Sequence, residues 1–241
     1  MSKDNIYATA KQSVDQFRFD EHVSAVFADM IERSVPGYGL TLDMIGVIAR
    51  QYGQPGSYCY DLGCSLGAST LAIRHNLSPP DCKIIAVDNS AAMIASCREN
   101  IDKDTAAVPV DILDQDILAT EFERASLTVM NFTLQFIPAE QRSDLLSKIA
   151  AATLPGGAFV LSEKIKLKSD IEQQILTDLH HQFKSSSGYS DLEIAQKRSA
   201  LEEVLIPDTV DTHISNLQQA GFSHVYLWFQ CFTFASMIAI K

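Results

Sequence analysis

Short apolar runs alternate along this chain with longer stretches of helical periodicity, and that alternation constrains the fold more than any other feature. The apolar runs fall at 57–62, 83–87, 107–112, 127–131, 158–162, 224–230 and 232–240, each of strand length. Between them 69–76, 90–100, 138–152 and 210–220 fit amphipathic helices, with Ser90 and Asp211 as expected N-caps and Gly221 just past a helix end. Strand, helix, strand repeated in this way predicts right-handed crossovers and a largely parallel, doubly wound sheet. The last two runs follow one another with no helix between, so the final strand is expected to run antiparallel.

A length of 241 residues suits one α/β core better than two, so residues 1–241 are read as a single domain. Two helical blocks lie outside the alternation, an N-terminal addition at 1–56 and a cap insertion at 163–206. In doubly wound folds ligands bind at the carboxyl ends of the strands, and these blocks are placed to close over that edge.

Composition narrows the function classes. A net charge of −11 opposes direct nucleic-acid binding, which depends on clustered Lys and Arg. The first thirty residues are charged throughout and contain no apolar core, so neither a signal peptide nor a membrane span is expected there. Five cysteines are scattered without a C-x-x-C pair, which reads as free thiols in a reducing, cytoplasmic setting. His180-His181 is expected on a solvated helix face, and no metal site is implied.

The junction of the first strand and first helix carries Asp61-Leu62-Gly63-Cys64-Ser65-Leu66-Gly67. Gly63 and Gly67 permit positive φ, and the helix start offers unpaired N–H groups to a ligand. A dinucleotide fingerprint would want glycines where the chain has Ser65 and Ala68, which disfavours NAD. The same residues spell the G-x-S-x-G elbow of serine hydrolases, but a single strand precedes them and no oxyanion segment lies upstream. The remaining reading resembles motif I of S-adenosylmethionine enzymes, with Ser65 in place of the middle glycine.

The second strand supports that reading. It ends in Asp88, 25 positions after Gly63, where a carboxylate can accept from both ribose hydroxyls; capping the next helix is the competing role. Asp114-Gln115-Asp116-Ile117 follows the third strand, where an acid can accept from the adenine amine and a backbone N–H can reach the ring. Asn131 ends the fourth strand, at the expected methionine end of the ligand. A parallel sheet closed by one antiparallel strand resembles the Rossmann-like class I methyltransferase fold.

Within 191–205, Ile194, Leu201 and Leu205 recur at helical spacing, and Arg198 shares their stripe, with Lys197 and Glu202 expected to point elsewhere. An inward guanidinium needs an anion. Arg198 is therefore the candidate to bind a carboxylate substrate, by planar bidentate contact; snorkelling to solvent or pairing with a local acid such as Glu202 is the alternative.

The stretches Phe19–Val23, Asp29–Tyr38, Asp61–Thr70 and Gln196–Glu202 resemble the carboxy-S-adenosyl-L-methionine synthase family. Arg33–Tyr38 and Gln196–Leu201 are not features of methyltransferases at large. The resemblance implies that S-adenosyl-L-methionine and prephenate become carboxy-S-adenosyl-L-methionine and phenylpyruvate, as the activated methyl captures carbon dioxide lost from the aromatising ring. The product would feed 5-oxyacetyl modification of the tRNA wobble uridine, a separate carboxymethyl-transferring enzyme handling the RNA. It further implies that Tyr38, Gly63, Cys64, Ser65, Asp88, Asn89, Asp116, Ile117 and Asn131 surround the cofactor, that Arg198 takes the carboxylate, and that the enzyme is a homodimer. Position 199 is Ser where some members carry an aromatic residue, so no role attaches to it. The alternative is a methyltransferase acting on a small carboxylate, and a third reading is a regulatory subunit that binds the cofactor without consuming it.

Overall fold

The computed structural model describes residues 2–10, 13–78 and 80–241. Seven strands form one sheet: β1 Tyr58–Leu62, β2 Lys83–Asp88, β3 Val110–Asp114, β4 Ala125–Asn131, β5 Thr153–Lys164, β6 His224–Cys231 and β7 Phe234–Ile240, in the order β3-β2-β1-β4-β5-β7-β6. β1 to β5 pair in parallel, whereas β7 slots antiparallel between β5 and β6. The expected antiparallel final strand is present. A tight turn at Phe232-Thr233, where Phe232 takes φ 51°, sets β7 beside β6, and its pairing with β5 places it inside the sheet.

Helices cover both faces, because strands buried on two sides need apolar cover on each. α2 (Tyr38–Tyr52) and α3 (Ala68–Asn76) lay Ile45, Ala49 and Ile73 against Cys59, Ile84, Leu127 and Val160. α4 (Ala91–Lys103) adds Ile94, Cys97 and Ile101 next to Ala86. On the other face, α5 (Ala139–Ala152) and α8 (Val210–Ala220) supply Leu145, Leu146, Ile149 and Leu217 against Leu62, Met130, Phe159 and Leu161. Each such fully buried side chain contributes about 1.5–3 kcal/mol from burial.

Several boundaries differ from the sequence reading. The third strand begins at Val110 and not at 107, since Pro109 has no N–H for the ladder, although its carbonyl accepts from Ile84 N–H at 3.0 Å. The N-cap of α8 is Thr209, whose hydroxyl accepts from Thr212 N–H, while Asp211 instead pairs with Lys168. In the N-terminal block, α1 (Glu21–Ser34) and α2 form, but the described residues before Glu21 contain no helix.

The fifth strand reaches Lys164, two residues into the segment expected to be cap. Beyond it, α6 (Asp170–Ser186) and α7 (Asp191–Leu201) make up the insertion. Its two ends are stitched together beside the strand it leaves: Lys166 N–H donates to Asp208 O at 2.9 Å, and Ile206 N–H to Gln135 O at 3.0 Å. Buried Arg142 binds Asp208 Oδ2 and the carbonyls of Ile137 and Ile206 from below. The helical pair is thereby held over the carboxyl ends of β4 and β5.

Candidate active site

The loop after β1 is built by three left-handed residues in alternation, Gly63 (φ 79°), Ser65 (φ 49°) and Gly67 (φ 86°). Glycine adopts that region freely, whereas a residue with a Cβ is strained there by about 1 kcal/mol. Ser65 thus occupies the backbone state of the glycine it replaces. At Gly63 the reason for glycine is also steric, because an added Cβ would lie 2.3 Å from Thr133 Oγ1. Ser65 Oγ lies 3.3 Å from Met93 Sδ, a partner that gives a serine nucleophile no base.

Asp88 organises the loop from the adjacent strand. Its Oδ2 accepts from Ser65 N–H and its Oδ1 from Ser90 N–H, both at 2.9 Å. The helix-capping role belongs to Ser90, whose Oγ accepts from Met93 N–H at 3.2 Å. A carboxylate offers about four lone-pair sites, so Asp88 retains acceptor capacity for ligand hydroxyls beside these donors. Burial pushes the Asp88 pKa up, against the pull of the backbone donors. Beneath the loop, fully buried Asp61 accepts from the Thr70 hydroxyl at 2.6 Å, and its pKa is pushed up to about 7 by burial and by Asp88. Tyr38 feels the same carboxylate: burial, then Asp61, hold its hydroxyl protonated well above the usual range.

The other expected residues surround this centre. Cys64 is buried and Asn89 is exposed. Asp116 Oδ1 accepts from Leu118 N–H at 2.8 Å as the cap of a short turn that buries Ile117. Asn131 donates to Ser69 Oγ at 3.2 Å, yet its Oδ1 is buried with no hydrogen-bond partner. A buried acceptor left unpaired costs about 1–3 kcal/mol, and an ammonium group at this position would satisfy it. That orphan, the left-handed loop and the free lone pairs of Asp88 fit S-adenosyl-L-methionine.

The structure corrects the reading of α7. Its buried residues are Ile194, Gln196, Lys197 and Ala200, and Arg198 is exposed. Lys197 is the buried cation, 3.0 Å from Ser34 Oγ and 3.7 Å from Asp4 Oδ2, and Gln196 donates to the carbonyls of Tyr7 and Thr9. The N-terminal segment thus supplies polar partners that turn the helix away from the phase of its apolar residues, and the helix ends at Leu201, short of Leu205. Arg198 lines a cleft of about 510 Å³ with His181, Ile194 and Ser199. Its charge still reaches the sheet edge, where burial and then Arg198 lower the pKa of Lys164.

His180 is a second correction. It is 6% exposed, not solvated, its Nε2 lies 2.8 Å from Ser34 O, and its ring packs edge-on 4.9 Å from Phe234. Burial and the charges of Lys184 and Lys164 push its pKa down to about 3, so it is neutral at physiological pH.

Sequence reasoning missed Glu163, Lys164, Lys184 and Thr133. Glu163 is fully buried and accepts from Leu134 and Gln135 N–H, both at 2.9 Å, fixing the loop after β4 whose Thr133 abuts Gly63. The available signal was a charged pair, Glu163-Lys164, closing an otherwise apolar strand.

A family model described as a methyltransferase domain matches residues 60–157. Among solved structures, a candidate S-adenosyl-L-methionine-dependent methyltransferase from Methanococcus maripaludis superposes with TM-score 0.63 at 17% identity, covering 96% of this chain and 97% of that one. Human N-acetylserotonin methyltransferase in complex with SAM gives 0.58 at 14%, covering 92% of this chain and 55% of the human one. Fold and site define an S-adenosyl-L-methionine-dependent transferase on the class I methyltransferase fold. Carboxy-S-adenosyl-L-methionine synthases from Hahella chejuensis (62% identical, covering 100% of this chain and 99% of that one), Marinobacter nauticus (58%, 99% and 95%) and Klebsiella pneumoniae (48%, 99% and 97%) align along essentially the whole sequence. The chain belongs to the carboxy-S-adenosyl-L-methionine synthase family.

Proposed function

We propose that this enzyme converts S-adenosyl-L-methionine and prephenate to carboxy-S-adenosyl-L-methionine and phenylpyruvate. The observation that carries the choice of an anionic co-substrate is the roof. The buried residues of α6 are His180 and Lys184, and Ile171, Ile175 and Leu179 of the same helix are exposed. A helix that turns polar residues inward and apolar ones outward is inverted relative to an ordinary surface helix. With Lys164 and Arg198 it gathers cations at the strand ends, and buried or crowded cations favour an anion.

In this reading Asp88 grips the ribose, Asp116 and the backbone at Ile117 face the adenine, and Asn131 takes the ammonium. When bound, S-adenosyl-L-methionine supplies the sulfonium-activated methyl carbon that becomes joined to the carboxyl carbon. Arg198 holds a prephenate carboxylate, and the roof excludes water from the reaction. Atoms balance: the ring carboxylate leaves as carbon dioxide and the ring hydroxyl as hydroxide, which takes up the proton lost from the methyl to give water. Gly63, Ser65 and Cys64 line the loop, and Tyr38 and Asn89 flank it.

A cytoplasmic homodimer supplying a tRNA carboxymethyl-transferring enzyme belongs to the same reading. The outward apolar stripe of α6 supports the dimer, and the net charge of −11 supports leaving RNA to another protein. Among the described residues no helix is long and apolar enough to cross a membrane.

The deciding experiment incubates purified enzyme with S-adenosyl-L-methionine and prephenate and weighs the nucleoside formed. A nucleoside heavier than the starting compound by one CO2, together with phenylpyruvate, is expected. S-adenosyl-L-homocysteine would instead indicate methyl transfer to a small carboxylate, and binding without consumption of prephenate a regulatory role.

A further inference from the structure

Lys184 lies on α6 one turn beyond His180, on the same inward face. It is 8% exposed, yet neither it nor Lys164 forms a side-chain hydrogen bond or an ion pair among the described residues. Lys164 ends β5 opposite Phe234, the ring against which His180 packs. The two amines therefore converge on one spot at the carboxyl edge of the sheet. They are close enough for each charge to be felt by the other groups present: Lys184 is pushed down to about 7 by burial and then by Lys197 and Lys164, and Lys164 is lowered by burial and then by Arg198.

The nearby acids are otherwise engaged. Asp4 accepts from the Tyr189 hydroxyl and sits beside Lys197. Glu163 is adjacent in sequence to Lys164, but alternation along the strand sends it to the opposite face, where it binds the backbone of Leu134 and Gln135. A buried lysine with no counter-ion either gives up its proton or meets an anion, and a bound anion restores its charge. Arg198 alone would satisfy a monocarboxylate, so the two extra cations call for a second negative group.

We propose that Lys184 and Lys164 form the receptor for the second carboxylate of a dicarboxylate substrate, the one not held by Arg198. This rests on the prephenate reading above and assigns its side-chain carboxylate to the α6 face. The roof thereby selects dianions over ring monocarboxylates.

The test uses the full-length enzyme and the variants Lys184→Met, Lys184→Arg and Lys164→Met. KM is measured for prephenate, and an inhibition constant for its ring monocarboxylate analogue, in which a methyl group replaces the pyruvyl side chain. Lys184→Met is expected to raise KM for prephenate about 10- to 100-fold, the loss of one charge-assisted hydrogen bond, and Lys164→Met similarly. The monocarboxylate should bind all forms within about twofold, and Lys184→Arg should recover most of the loss. An unchanged KM, an equal loss for both compounds, or a parallel loss of S-adenosyl-L-methionine affinity would each overturn the assignment. Failure of the prephenate reading shows separately, as absence of the heavier nucleoside with unmodified enzyme, and the assignment falls with it.

Discussion

The two halves of the candidate site are built from different materials. On the β1–β2 side, the proposed ligand contacts come mostly from backbone, three left-handed residues and their N–H groups, with one carboxylate at the end of a strand. On the α6–α7 side they come from long side chains whose direction depends on which face of a helix is buried. Backbone geometry is dictated by local residue choice, whereas helix phase is set by whatever packs beneath. The first half is legible directly in the chain, whereas in the second the periodicity of α7 puts Arg198 inward and Lys197 outward, the reverse of the packed helix.

The comparison predicts separable defects. Arg198→Ala should lower kcat/KM for prephenate by at least about 100-fold, with S-adenosyl-L-methionine affinity unchanged within about twofold; titration calorimetry and steady-state kinetics together check this. Equal loss of both would merge the two halves into one site. Asp88→Asn should do the reverse, weakening S-adenosyl-L-methionine by about 10- to 100-fold through loss of the proposed ribose contacts and a loosened Ser65 tie. Gly63→Ala tests the loop itself. A Cβ at φ 79° and 2.3 Å from Thr133 Oγ1 should destabilise the protein by about 2 kcal/mol in urea denaturation and weaken the nucleoside.

The roof can also be probed by pH. The folded-state pKa of His180 is depressed to about 3 from 6.5, so the unfolded chain takes up a proton first as pH falls. The stability His180 contributes is fully present above pH ~6.5 and is lost toward pH ~3, at about 1.4 kcal/mol per unit. Between pH 7.5 and pH 5, the change in stability measured by urea denaturation should differ by about 2 kcal/mol between the unmodified enzyme and His180→Gln, the unmodified enzyme losing more. A variant with the same acid limb would place the titration elsewhere. The smallest effect belongs to Ser65→Gly: relief of left-handed strain offsets greater chain entropy, and stability should move by no more than about 1 kcal/mol, with nucleoside affinity retained. A large loss would give the Ser65 hydroxyl a role beyond its contact with Met93.

By itself the sequence determined the order of strands and helices, the left-handed loop at 63–67, the acid at the end of β2 and the amide at the end of β4. Each depends on residues within a few positions of one another, through periodicity, φ freedom or strand ends. Only the tertiary structure decided that β7 inserts between β5 and β6, that Lys197 and not Arg198 is buried, and that α6 turns His180 and Lys184 inward. Those outcomes depend on partners far along the chain, Asp4, Ser34 and Phe234 among them. A helix's polar periodicity does not reveal which side a distant counter-charge or acceptor will meet. Burial of a charge follows its partner, and the partner is placed only when the chain has folded.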